Sequence, residues 1–251
     1  MLRSPRHSAR ARWHEDFDWS RNNLFSRGDA IKNVYFTGGE PMISKYVSKA
    51  VHHFVKTGIS THICLDLNSS IAGLNEDLIN SFVNFESVYF SASIDGFGSV
   101  NEYIRHPSNW ITVSENLQKL LLGRSDRINI SVIIVVQVYN VLNITDLLRW
   151  LNSIACDYTM ELAIDPAILS VAILPDAAKA TAARRLERFA SECRLEKRRH
   201  VLAIAEMIKA TPKFCSVTNL LTFKRFTEAL DSSRRQRLDD VCPELLQYLS
   251  E

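Results

Sequence analysis

No cysteine in the chain has a partner at motif spacing. Cys64, Cys156, Cys193, Cys215 and Cys242 are odd in number and scattered, and no two lie two to four residues apart. That excludes a disulfide framework or a structural zinc site as the organising principle and fits a reducing cytoplasm. Long hydrophobic runs are missing too. The most apolar stretch, Ile128 to Val136, is interrupted by Asn129 and Ser131 and falls far short of a bilayer. No secretory leader is visible, and the arginines at 3, 6, 10 and 12 only loosely follow a transit-sequence pattern before Glu15-Asp16-Phe17-Asp18 breaks it. A net charge of +2 gives no reason to expect nucleic acid or a membrane as the main partner. Glycine is absent after Gly123, so the turn chemistry of a tightly connected α/β sheet is confined to the first half.

What is present is an ordinary globular balance, 46% hydrophobic and 23% charged, with no repeat or low-complexity tract. The pattern predicts strands at 33–36, 61–67, 87–94, 129–136 and 160–164. Between them lie helical stripes. The first is Val47, Ala50, Val51, Phe54 and Val55, capped by Ser44 and stopped by Gly58. The others are Leu74 to Val83, Trp110 to Leu121, and Ile144 to Leu151. Strand and helix alternate to about residue 165, the signature of βαβ units in an open sheet or a full or partial barrel. The near-continuous Ile and Val of 129–136 predict a strand covered on both faces. After Pro175, residues 177–210 contain no Gly or Pro and read as two helices, with further stripes at Leu220 to Phe226 and Leu245 to Leu249.

In such folds ligands bind at the carboxyl ends of the strands. Those ends carry Gly38-Gly39-Glu40, Asn68, Ser93-Ile94-Asp95, Gln137 and Asp165, a collection of polar groups that reads as a binding surface. Paired glycines let a ligand approach bare backbone, and Glu40 follows at once to receive an ammonium group.

Four pieces in fixed order carry a family resemblance: Val34-Tyr35-Phe36-Thr37-Gly38-Gly39-Glu40-Pro41, Leu67-Asn68-Ser69-Ser70, Ser93-Ile94-Asp95-Gly96, and Tyr103-Ile104-Arg105. Together they resemble the radical SAM superfamily, most closely its members with a twitch or SPASM-like C-terminal extension. The resemblance implies a partial (β/α)6 TIM-like barrel that binds S-adenosylmethionine across the strand ends. It also implies a [4Fe-4S] cluster, held by a C-x3-C-x2-C loop, that reductively cleaves the nucleotide. By motif, Gly38, Gly39, Glu40 and Pro41 would hold the methionine ammonium end. Ser93 and Asp95 would meet the ribose or carboxylate, Arg105 would pair the methionine carboxylate, and Asn68 would join the pocket. The partners implied are a peptide or small-molecule substrate and an electron donor. The same likeness divides the chain into a remnant at 1–32, a core at 33–165 and a mostly helical extension at 166–251.

The chain departs from that family at the decisive point, because no C-x3-C-x2-C occurs anywhere in it. The first barrel strand is also missing, and Ser8 to Trp13 resembles family sequence just beyond the cluster loop. The chain therefore reads as an N-terminally truncated, inactive form, with a cluster-free binding or partner protein as the alternative. No metal ligand or catalytic residue is assigned. A barrel without its first strand exposes an edge, so association or poor solubility is expected.

Plainer readings stand beside these. Gly38-Gly39 also suits a tight turn, Asp95-Gly96 a hairpin, Ser93 a small strand residue, and Arg105 a surface pair with Glu102 worth about 0–1 kcal/mol. His52 and His53 are adjacent on a helix and point apart. The basic run Arg184 to Arg199 is interleaved with Glu187, Glu192 and Glu196, which favours a solvated helical face over a nucleic-acid stripe.

Overall fold

A computed structural model describes residues 16–212 and 217–250. The N-terminal arginines, the Ser8 to Trp13 stretch and Cys215 lie outside the described residues. Five strands form one open parallel sheet in sequential order: β1 (Asn33–Phe36), β2 (Cys64–Ser69), β3 (Ser87–Ser93), β4 (Ile128–Val136) and β5 (Asp157–Leu162). This is the α/β architecture expected from the alternating pattern. The chain divides into two compact units. Among the described residues the first comprises 16–68, 74–90 and 125–129, and the second 69–73, 91–124, 130–212 and 217–250.

In the first unit α1 (Phe17–Asn23) is capped by Asp16, whose carboxylate accepts from Trp19 N. Helix α2 (Lys45–Thr57) starts at Ser44, whose hydroxyl accepts from Val47 N, and stops at Gly58 in the left-handed region. Val47, Ala50, Val51 and Phe54 are buried on one face. β1 and β2 pair in parallel, with Val34 opposite Leu65 and Phe36 opposite Leu67. The predicted strand at 61–67 is displaced: Ile59–His62 forms a 3-10 turn, and the strand begins only at Cys64. Helix α3 (Glu76–Ser81) is shorter than its stripe, because Phe82–Asn84 tightens into a 3-10 turn that leaves Val83 65% exposed.

In the second unit α4 (Ser99–Ile104) follows the Asp95-Gly96 turn, and α5 (Trp110–Leu122) buries Val113, Leu117 and Leu120. β4 alternates buried residues with half-buried ones and an exposed Asn129, so one face is sealed and the other only partly covered. Complete coverage of both faces, expected from its Ile and Val content, is not observed. α6 (Ile144–Ser153) buries Ile144, Leu147, Leu148 and Leu151. β5 lies upstream of its predicted position, because Asp157 and Tyr158 pair with Ser131 and Val132, while Ile164 is left 84% exposed beyond the strand.

The remainder is helical: α7 (Asp176–Ala190), α8 (Leu195–Ala210), α9 (Val217–Arg234), α10 (Leu238–Val241) and α11 (Pro243–Ser250). Edge strand β5 is covered by α8. Lys197 Nζ donates to Tyr158 O at 3.2 Å, and Met160 N donates to His200 Nε2 at 2.8 Å. Cations of the basic run form ion pairs: Arg185 and Glu244 lie 2.7 Å apart, and Lys197 and Asp157 3.2 Å.

Candidate functional site

The turn after β3 in the second unit is built around Asp95, which is 3% exposed. Its N–H donates to Asn101 Oδ1 at 3.0 Å, and its carbonyl accepts from Asn140 Nδ2 at 2.7 Å. Its carboxylate spans two elements. Oδ1 accepts from Val135 N at 2.7 Å, and Oδ2 lies 2.8 Å from Arg105 Nε. Gly96 is required here on steric grounds. A Cβ would come within 2.6 Å of Val100 Cγ1 and 2.8 Å of Asn101 N, so α4 packs directly on the bare backbone.

Burial raises the pKa of Asp95, and the Arg105 charge and the Val135 N–H oppose that rise. The Arg105 contact is a close ion pair between Nε and Oδ2. Nε faces Asp95, and the two Nη groups carry the other donors of the fork. The surface pair with Glu102 considered for Arg105 does not form. Glu102 Oε1 instead accepts from Trp110 N at 2.6 Å at the start of α5.

Ser70, Asp95, Arg105, His106 and Ser108 line a hollow of about 470 Å³ in this unit. Three of the four sequence pieces thus converge, through Ser70, Asp95 and Arg105. The hollow joins a guanidinium held by a buried carboxylate to hydroxyls and an exposed imidazole. It suits a small ligand that bears a carboxylate or several hydroxyls. Ser93 ends β3 half-buried, alternating with buried Ala92 and Ile94, and is not in the lining.

The remaining expected residues belong to the first unit. Gly38 and Gly39 follow β1 with φ of +82° and +59°, and a Cβ on either would meet nothing within 4 Å. Glycine is required there by backbone conformation, and the surroundings are open. Glu40 is half-buried and starts the 3-10 turn Pro41–Ile43, with Oε1 accepting from Met42 N at 3.2 Å. Asn68 is half-buried near the end of β2. His52 Nδ1 lies 2.7 Å from Ser48 O, whereas His53 packs among Phe17, Phe25 and Phe54.

The sequence reading missed Asn101 and Asn140, the two clamps on Asp95. Asn140 also donates to Val135 O at 2.8 Å, and it accepts from Gln137 N. Asn140 offered the one signal of an asparagine soon after a strand end, whereas Asn101 lies inside α4. Among the described residues no three His, Cys, Asp or Glu side chains form a group able to hold a metal ion. No helix among them is long and apolar enough to cross a membrane.

Among solved structures the chain is similar to native anSMEcpe with bound AdoMet, with a TM-score of 0.50 and 12% identity over 64% of this chain and 46% of that one. The anSMEcpe complex with AdoMet and Kp18Cys peptide has a TM-score of 0.49 at 12% identity, with the same coverage. The chain spans less than half the length of these structures. No family model and no curated protein matches it. At this identity what is shared is the fold, an open parallel sheet of the partial radical SAM barrel type.

Proposed function

We propose that this chain binds S-adenosylmethionine through the hollow beside Asp95, with Arg105 receiving the methionine carboxylate. The observation that carries the reading is the convergence of Ser70, Asp95 and Arg105 on one cavity. A solved structure of the same fold carries AdoMet, which supports the ligand class. Asp95 holds and neutralises the guanidinium, while the Nη groups supply the paired donors a carboxylate needs. Ser93, at the end of β3 in the same unit, is assigned with Asp95 to the ribose or carboxylate.

The residues present do not fit an iron–sulfur cluster. The sequence holds no C-x3-C-x2-C run, and the described cysteines are single thiols, of which Cys156 and Cys242 are buried. No chemical step is therefore derived through iron. In our reading the chain is a nucleotide-binding protein of radical SAM fold. Cleavage of the nucleotide, an electron donor and a peptide or small-molecule substrate belong to a form that carries the cluster loop.

Calorimetric titration with S-adenosylmethionine tests the reading, with Arg105→Gln as the comparison. Saturable heat from the wild-type chain and its loss in the variant are expected. No heat from either protein would remove the nucleotide-binding function.

A further inference from the structure

Helix α9 lays one stripe of side chains, Phe223, Thr227, Asp231 and Arg234, along two tyrosines of the same unit. Their spacing of four, four and three residues keeps them on one helical face. Phe223 packs on Tyr139 with ring centroids 5.4 Å apart, and Thr227 Oγ1 lies 2.8 Å from Tyr139 OH. Tyr103 OH donates to Asp231 Oδ1 at 2.7 Å, and Arg234 Nη1 donates to Tyr103 O at 3.1 Å. The two tyrosine rings meet edge to face at 5.3 Å. The second Asp231 oxygen accepts from Leu238 N at 3.1 Å, so one carboxylate fixes both α4 and the start of α10.

These tyrosines stand on the two supports of the Asp95–Arg105 pair. Tyr103 is buried in α4, two residues before Arg105, and Arg105 N donates to Asn101 O at 2.8 Å to close the last turn. Any shift of α4 therefore carries the guanidinium with it. Tyr139 precedes Asn140, which clasps the carbonyls of Asp95 and Val135. Burial, with the Asp231 carboxylate as acceptor, keeps the Tyr103 hydroxyl protonated and donating.

We propose that Asp231 and Arg234 are positioning residues for Arg105: through Tyr103 they hold α4 at the setting that keeps the guanidinium in the wall of the hollow. Resting on the nucleotide reading above, the C-terminal helix α9 thereby sets the affinity for the ligand's carboxylate. A brace that served stability alone would weaken every ligand of the hollow alike. A positioning brace weakens only ligands that use Arg105.

The experiment titrates the full chain, Tyr103→Phe and Asp231→Asn with S-adenosylmethionine and with 5′-methylthioadenosine, which keeps the nucleoside and lacks the carboxylate. Hydrogen exchange of the ligand-free proteins runs alongside. Tyr103→Phe removes one oxygen and almost no volume, which guards against a folding defect. Affinity for S-adenosylmethionine should fall about tenfold in both variants. Affinity for methylthioadenosine should hold, and residues 99–108 should exchange faster. Equal weakening of both ligands, or unchanged exchange at 99–108, overturns the proposal. If the wild-type chain binds neither compound, the nucleotide reading fails, and exchange at 99–108 alone decides whether the brace exists.

Discussion

Arg105 Nε stands 2.8 Å from Asp95 Oδ2, joining a half-exposed guanidinium to a carboxylate sealed inside the fold. The pair makes the carboxylate tolerable, because burial alone drives the Asp95 pKa upward.

Arg105→Met should therefore leave a buried charge without its partner and cost about 3 kcal/mol at neutral pH. The pH dependence has a definite sign. Removing the guanidinium raises the folded-state pKa of Asp95 further. The cost is then full where Asp95 is ionised in both proteins and fades as the pH falls and the carboxyl protonates. Urea unfolding of both proteins between pH 7 and pH 4 checks it. A deficit that does not shrink at low pH contradicts this role for the pair.

His200 gives the opposite signature at the edge strand. Burial, aided by the Lys197 charge, holds its imidazole below the ordinary value of 6.5, and the neutral ring accepts from Met160 N. A lowered folded-state pKa contributes stability above about pH 6.5 that is lost as the pH falls through the folded value. His200→Phe should remove about 0.5–1 kcal/mol at pH 7.5, the half-exposed ring keeping the figure small. It should also flatten the fall in melting temperature between pH 7 and 5. An unchanged slope would show that the ring does not hold the strand.

Glycine substitutions separate two kinds of requirement. Gly96→Ala drives a methyl into Val100 and the α4 backbone and should cost about 2 kcal/mol. Gly38→Ala meets no atom within 4 Å and should cost about 1 kcal/mol through its positive φ alone. Chemical denaturation of the two variants measures both. A larger loss at Gly38 would mean that the turn, not the close approach of α4, is the tighter constraint.

Local chemistry was legible in the sequence. Ser44 and Gly58 bound α2 because a hydroxyl cap and a left-handed glycine act within a few residues of themselves. The same locality misplaced β5, because the pairing of Asp157 and Tyr158 with β4 is decided by a strand about 25 residues earlier. Arg105 looked like a partner for Glu102 because helical spacing favours near neighbours, whereas burial at Asp95 creates the stronger demand for a cation. Asn140 and Asp231 act on residues 45 and 128 positions away, and no periodicity encodes such pairs. The motifs pointed to Asp95 and Arg105, but their supports became visible only in three dimensions.

In the proposed complex the Arg105 guanidinium receives the carboxylate of a bound S-adenosylmethionine. Equilibrium dialysis of radiolabelled S-adenosylmethionine against the wild-type chain and Arg105→Lys isolates that contact, since lysine keeps the charge beside Asp95 and loses the fork. Retention by the wild type and at least a tenfold loss in the variant are expected. Equal retention by both proteins, or none by the wild type, would show that Arg105 does not hold the ligand's carboxylate.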